Sequence, residues 1–423
     1  MTHLTSIPKI DRPFTITQGR RSQSGPPLTE EMSLTQTSPV GGLSPELRTT
    51  LFYFTLMTTA GAANAFGGIW MEGRGLSASQ IGVVSAAPVL VMLVLNMVAG
   101  RIADRASDWR QVIVAAAVLG GIFPIGLLWA ADFWSILLFW TLTSIAFMTC
   151  VPVLDAAAMR LTARRGTDFG SMRAWATIGY LIAIIATGWL VTWAGQEAYM
   201  PFFVALALIR TVTSLFLPRF RAPDGEKPPP SGATRMLQVM KPWFLLPLFG
   251  FAIILASHFI LNAFQGLLWE RQGISLSTIG FLIAFGGLAE TLLFFTYRKL
   301  DKRTSARVLL LIAGVVTVIR WTAMAFAPPV GWLIPLQALH GITYGLGFMA
   351  CLTFIRSHTS EDIAAEAQGF FVMLQQGMSV LALVGFGGLV DHYGARAYFA
   401  SALFAALGAL CILASIRIRP PLS

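Results

Sequence analysis

Apolar residues gather along this chain in blocks of about twenty, divided by short polar breaks. Twelve blocks can be marked: 47–70, 80–101, 111–130, 133–156, 172–194 and 199–218, then 243–268, 276–297, 307–327, 331–355, 366–390 and 396–417. A helix rising ~1.5 Å per residue crosses a hydrocarbon layer of ~30 Å in about twenty residues, so each block predicts one membrane-spanning helix. Ala131 and Asp132 alone join the third and fourth blocks, a tight hairpin. Between the sixth and seventh lies RFRAPDGEKPPPSGATR, residues 219–235, whose prolines, glycines and charges mark a linker.

Two octapeptides repeat across the halves. GLSASQIG at 75–82 returns as GISLSTIG at 273–280, each just after a tryptophan, Trp70 or Trp269. The offset matches the length of one six-span unit with its linker, so the halves are expected to be two six-helix bundles related by a parallel repeat. Each octapeptide opens the second span of its half. There Ser77 or Ser79, and Ser275 or Ser277, can cap free backbone N–H groups. Gly82 and Gly280 would let helices approach closely. A second repeated element, GRIADR at 100–105 and YRKLDK at 297–302, sets Asp104 and Asp301 among basic residues at the far end of the same spans.

The expected architecture is therefore all-α and polytopic. A tail rich in Ser, Thr, Pro and Gly over 1–46 is expected to be disordered. A six-helix bundle over 47–218, a linker over 219–242, a second bundle over 243–417 and a tail over 418–423 follow. The first tail lacks the apolar core of a signal peptide, and Met32 is a candidate alternative start.

Charge placement orients the spans. Of 30 Lys and Arg, three (Arg173, Arg210, Arg320) are read as intramembrane and three (Arg74, Arg271, Arg396) lie in or beside one set of loops; the remaining 24 lie in or beside the other loops and termini. Positive charge favours the cytoplasmic side, so both termini and the linker are expected there, in a bacterial inner membrane. Composition agrees: 55% of residues are hydrophobic, 12% are charged and mean hydropathy is +0.68, against about a quarter charged in soluble domains. In that setting a net charge of +10 reflects loop placement rather than nucleic-acid binding. Cys150, Cys351 and Cys411 sit in apolar runs with no metal or redox spacing, the pattern of buried small residues.

GRIADR resembles the signature of the major facilitator superfamily between spans two and three. Gly100, Asp104 and Arg105 match; Ser107, Asp108 and Trp109 stand where that signature continues with glycine. LDAAAMRLTARRGTDFGSMRAWATIGY at 154–180 resembles the phenylpropionate permease and its lactose-permease-like relatives through Asp155, Phe169, Gly170, Arg173, Trp175 and Gly179. Glu290, Arg320-Trp321, Leu339-His340-Gly341 and GGLVDHYGARAYF at 387–399 extend the resemblance over 47–417. It implies alternating access between two bundles, with Gly100, Asp104, Arg105 and Asp301 in the conformational loops.

Charges within a membrane are functional candidates because burying them is costly. Asp155 and Arg173 could clamp a substrate or form a structural ion pair; in the resembled proteins such a pair contacts substrate. Glu290, Arg320 and His340 could couple protons or form a satisfied buried network. The resemblance favours coupling, with Arg320 holding the Glu290 carboxylate ionised. Where the sugar-transporting relative has a second acid, Thr343 stands, so a proton would rest on Glu290, His340 or Asp155. His258, Asn262 and Gln265 could line the pore or bond helices together, as could Asn64 and Asn96. Arg210, two turns from the end of its span, is expected to snorkel to the cytoplasmic face. Trp175 and Trp321 each follow an arginine closely, a pairing that suits an aromatic acid.

The expected function is secondary transport of a small molecule with protons, an aromatic carboxylate such as phenylpropionate favoured. Sugar or nucleoside symport, drug–proton antiport and non-transporting sensing remain alternatives. No P-loop, metal triad or nucleophile elbow appears, so no enzyme activity, cofactor or metal is expected. The partners expected are substrate, protons and the lipid bilayer around a monomer.

Overall fold

The structure, a computed structural model, describes residues 42–105, 108–220, 240–301 and 303–418. The tail before residue 42, most of the linker and the last five residues lie outside these. So do the side chains of Asn96, Asp104, Arg105 and Asp301, although the backbones of Gly100, Asp104 and Arg105 close α2 and that of Asp301 closes α9.

Every extended regular element among the described residues is a helix. The first half holds α1 (Pro45–Gly73), α2 (Ala78–Arg105), α3 (Trp109–Gly126), α4 (Phe133–Arg165), α5 (Phe169–Ala194) and α6 (Tyr199–Leu215). The second holds α7 (Pro242–Phe259), α8 (Leu261–Arg271), α9 (Leu276–Asp301), α10 (Ala306–Ala325), α11 (Val330–Ala338), α12 (Gly347–His358), α13 (Glu361–Tyr393) and α14 (Tyr398–Arg417). Two expected spans are interrupted. The seventh breaks at Ile260 between α7 and α8, and the tenth carries a π-helical turn, Gly341–Leu346, between α11 and α12. Such widened turns recur at functional sites.

Ten stretches of the described residues are long and apolar enough to cross a membrane, one of them spanning both α13 and α14. Helix α1 is not among them. It carries Thr49, Thr55, Thr58, Thr59 and Asn64, and the four threonine hydroxyls bond to carbonyls of the preceding turn. Its neighbours α5, α6 and α8 surround it, so it need not be as apolar as a helix facing lipid. Side-chain caps start the helices beyond the tight loops. Asp132 forms a capping box with Ser135 at α4, and Asp168 accepts from the Ser171 amide at α5. The Ser171 and Gly170 amides hold the Asp168 carboxyl below the usual carboxylate range.

The octapeptides now decode residue by residue. Gly75 (φ +86°) and Gly273 (φ +79°) take the left-handed conformation that ends the preceding helix. Ser77 accepts from the Gln80 amide at 3.2 Å while Gln80 Oε1 accepts from the Ser77 amide at 2.9 Å, a reciprocal cap. Ser275 accepts from the Thr278 amide at 3.4 Å. Ser77 and Ser275 are thus the caps, which frees Ser79 and Ser277 for the opposite half. The Asp391 carboxylate, at the end of α13, accepts from the Ala78 amide at 2.7 Å, from the Ser79 amide at 2.8 Å and from the Ser79 hydroxyl. The Ser277 amide donates to Thr192 Oγ1 of α5 at 3.0 Å.

Three cross-half helix pairs meet here: α2 with α13, α5 with α9, and α1 with α8. Each is lined by a reciprocal pair of glycines. A Cβ on Gly82 would come within 2.6 Å of the Leu383 carbonyl oxygen, and one on Gly387 within 2.5 Å of that of Ala78. Gly188 and Gly280 do the same between α5 and α9, as do Gly68 and Gly266 between α1 and α8. The ion pair Glu72–Arg271 and the Gln196–Glu270 hydrogen bond complete the seal. All these contacts lie at the end whose loops are poor in arginine.

Asp391 touches the positive end of α2 but is exposed, so its bonds are worth about 1 kcal/mol after screening by water. Asp391→Ala should therefore loosen the Arg-poor end several-fold without unfolding the protein. The check is alkylation of a cysteine introduced at Ile283, in the cavity wall, by an impermeant maleimide reaching it from that end. An unchanged rate would mean that the glycine seams alone hold the closure.

Candidate functional site

Two adjoining cavities occupy the centre, sharing Asn64, Phe259 and Asn262 in their walls. The first encloses about 300 Å³ and draws its walls from both halves. The second, about 250 Å³, is set mainly among α1, α2, α4 and α6.

The first cavity is polar on the second-half side. His258, Asn262, Gln265, Glu290, Gln337 and His340 reach it. The breaks described above explain how. The interruption at Ile260 lets α7 end with His258 and α8 begin with Asn262 and Gln265 on the cavity side. The π turn follows His340 directly.

Arg320 organises the wall behind. It is fully buried, and its Nη1 donates to His340 Nδ1 and to Thr343 Oγ1, both at 3.1 Å, while Nη2 donates to Gln337 Oε1 at 2.5 Å. The guanidinium also lies 4.9 Å from the Trp321 ring centre. Thr343 thus serves as a hydrogen-bond acceptor where an acid could have stood.

Arg320 does not reach Glu290 as expected; His340 stands between, its Nε2 3.4 Å from Glu290 Oε2. Arginine only donates, so Nδ1 of His340 must offer its lone pair and Nε2 must carry the ring proton. Neutral His340 therefore presents an N–H to the Glu290 carboxylate. A second proton on His340 would put an N–H against Arg320 and break that bond.

His258 Nδ1 donates to the Ile254 carbonyl at 2.9 Å. Its Nε2 is then an acceptor, and it is buried with no partner; the Gln265 amide nitrogen is likewise unpaired. Buried polar atoms without partners are rare, so the residues of this wall hold one unpaired acceptor and one unpaired donor. Asn64 reaches Tyr180 only at 3.5 Å, a long contact.

The first-half candidates sit elsewhere. Asp155 and Arg173 are joined at 3.2 Å, and Tyr53 donates to Asp155 at 2.7 Å. Both charged side chains remain about one-third exposed (31% and 34%), and neither lines either cavity. Trp175 is 48% exposed, at the edge of the α5 face that buries Met172, Ala176 and Gly179, and it lines neither cavity. Trp321 is fully buried, donating to Ser257 and stacked on Tyr398. The two tryptophans expected beside substrate thus pack away from the cavities.

Arg210 departs furthest from expectation. Instead of snorkelling to the membrane surface, it is 2% exposed and lines the second cavity. The reason is its helix face: Phe203, Ala207 and Ser214, at helical spacing from it, are buried, whereas Leu208, Ile209 and Val212 are exposed. That stripe was readable in the sequence, as was the isolated Gln337; Tyr53 carried no signal of its own. Among the described residues no group of His, Cys, Asp and Glu could hold a metal.

The chain matches the MFS_1 like family over residues 47–402. It is 28% identical over 360 residues to the "Probable 3-phenylpropionic acid transporter" of Escherichia coli (strain K12), covering 81% of this chain and 90% of that protein. It is 26% identical to the "Maltose permease" of Geobacillus stearothermophilus, covering 78% and 83%. The fold resembles the crystal structure of the nucleoside transporter NupG with a TM-score of 0.78 at 18% identity, covering 89% of this chain and all of that one.

Removing Arg320 would leave Gln337, Thr343 and His340 without their donor inside the wall. Arg320→Met should cost about 3 kcal/mol, whereas Arg173→Ala, in a partly exposed pair, should cost ~1 kcal/mol or less. Thermal unfolding of the purified variants in detergent checks the ranking. Equal losses would remove the distinction between the two arginines.

Proposed function

We propose that this chain, which belongs to the MFS_1 like family of transporters, takes up a small organic solute together with protons by alternating access. Its relatives are named as transporters and permeases. The favoured solute is an aromatic carboxylate, in line with the name of the phenylpropionic acid relative. The bundles over 47–218 and 243–417 would rock about the central cavities. The Arg-poor seal would face outward, with both termini in the cytoplasm of a bacterial cell.

One observation carries the reading: a cavity walled by both halves, closed at one end, with Glu290 on its surface and a fixed His340–Arg320 pair behind it. Glu290 can then accept a proton only when the cavity is open to water, and its charge state changes what the wall offers the solute. Arg320 and His340 orient this carboxyl; Asp155 and Arg173, with Gly100, Asp104, Arg105 and Asp301, fit a role in conformational change near the Arg-rich end.

A second reading has its own support. The free acceptor on His258 and free donor on Gln265 suit a neutral hydrogen-bonding solute such as a nucleoside or sugar.

Uptake into proteoliposomes with an imposed proton gradient separates these outcomes, with labelled phenylpropionate, uridine and maltose as probes. Gradient-driven accumulation of phenylpropionate is expected. Glu290→Gln should abolish accumulation yet retain exchange of labelled for unlabelled solute, since it removes only the titrating proton. Accumulation of uridine or maltose alone would move the assignment to the second reading. Full accumulation by Glu290→Gln would sink the coupling role.

A further inference from the structure

The second cavity contains a cation that the fold leaves without a counter-charge. Arg210 Nη1 donates to Thr59 Oγ1 at 3.2 Å, but Nε and Nη2 are buried with no partner. No ion pair reaches it among the described residues, and Asp155 on α4 is engaged by Arg173 and Tyr53. Gly120 of α3 makes room for the guanidinium, since a Cβ there would overlap Nη2.

A buried guanidinium normally finds a carboxylate, because an unpaired charge in a medium of low dielectric is strongly unfavourable. Arg320 in the same protein is bonded through both terminal nitrogens. The difference suggests that the missing partner of Arg210 arrives from outside. The rest of the cavity says what it carries. Trp140 and Phe203 stack at 6.0 Å, and Phe147 and Phe259 complete an aromatic wall. At about 250 Å³ the space falls just below the range of drug-sized sites, ~300–1,000 Å³, and suits one ring with a short chain.

We infer that Arg210 is the anchor for the carboxylate of the transported solute, whose aromatic body lies against Trp140, Phe147 and Phe259. The assignment rests on the aromatic-acid reading above and transfers the anion site from Arg173 on α5 to α6. The guanidinium offers planar paired donors to the carboxylate. The ring would leave Glu290 in the adjoining cavity free to carry the proton.

The test uses purified full-length protein in nanodiscs and two probes of one shape, 3-phenylpropionate and its neutral amide, with binding read by calorimetry. Wild type should prefer the acid at least tenfold. Arg210→Gln and Arg210→Lys should each lose at least tenfold in acid affinity and the preference with it, while Arg173→Gln keeps both. The thermal midpoint without ligand should be equal or higher in Arg210→Gln, since an unpartnered charge is gone, and the acid should no longer raise it. Should Arg210→Gln fail to fold, Arg210→Lys decides, because it keeps the charge but not the paired donors. An acid preference unchanged in the Arg210 variants overturns the anchor while leaving the aromatic-acid reading intact. If wild type binds neither probe yet binds uridine or maltose, that reading falls and the anchor with it.

Discussion

At the Arg-poor end, three helix pairs touch backbone to backbone through reciprocal glycines, and the polar interior depends on that contact. A Cβ at five of these positions would come within 2.7 Å of a facing carbonyl oxygen, and at Gly280 within 3.0 Å, so the helices would have to shift. With the glycines in place, helix ends approach closely enough for Asp391 and Thr192 to cap helices of the opposite half. In hydrocarbon there is no hydrophobic force between helices, so close packing and hydrogen bonds hold them together. The capping bonds are exposed and weak singly, whereas the seams are made of contacts that cannot be partly satisfied.

The two fully buried arginines show how one fold treats the same charge in two ways. Arg320 is held by Gln337, Thr343 and His340 and stacked near Trp321, so it acts as a fixed post for the wall of the first cavity. Arg210 has one hydroxyl partner and two idle nitrogens. A satisfied charge stiffens its surroundings, and an unsatisfied one is a demand on whatever enters the cavity. Orientation follows the same logic at His340. The obligate donor behind it sets its tautomer, and the tautomer directs an N–H at Glu290.

Much of this was legible in the chain itself. Blocks of twenty apolar residues, the placement of arginines and the repeated octapeptide pointed to an all-helical polytopic fold before any coordinates. They did so because a bilayer imposes length and charge rules on every span independently of its neighbours. The polar residues of the second half, His258, Asn262, Gln265, Glu290 and His340, stood out because such groups are rare in apolar blocks, and all five reach one cavity. The repeat also foretold where caps and close glycines belong, since a helix start needs its own local chemistry.

Tertiary packing alone decided the rest. Nothing local distinguishes an arginine bonded through both terminal nitrogens from one with a single hydroxyl partner, so Arg320 and Arg210 could not be ranked without their neighbours from other helices. Nor could Trp175 and Trp321 be assigned to exposed surface and core, since both sit one or two places after an arginine. The interposition of His340 between Arg320 and Glu290, and the capping of α2 by a residue more than three hundred positions away, are contacts between segments that the sequence writes far apart. Span length, side preference and the serine caps are set within a segment by bilayer and backbone, whereas pairing, burial and the caps lent by the opposite half depend on which faces of separate helices meet.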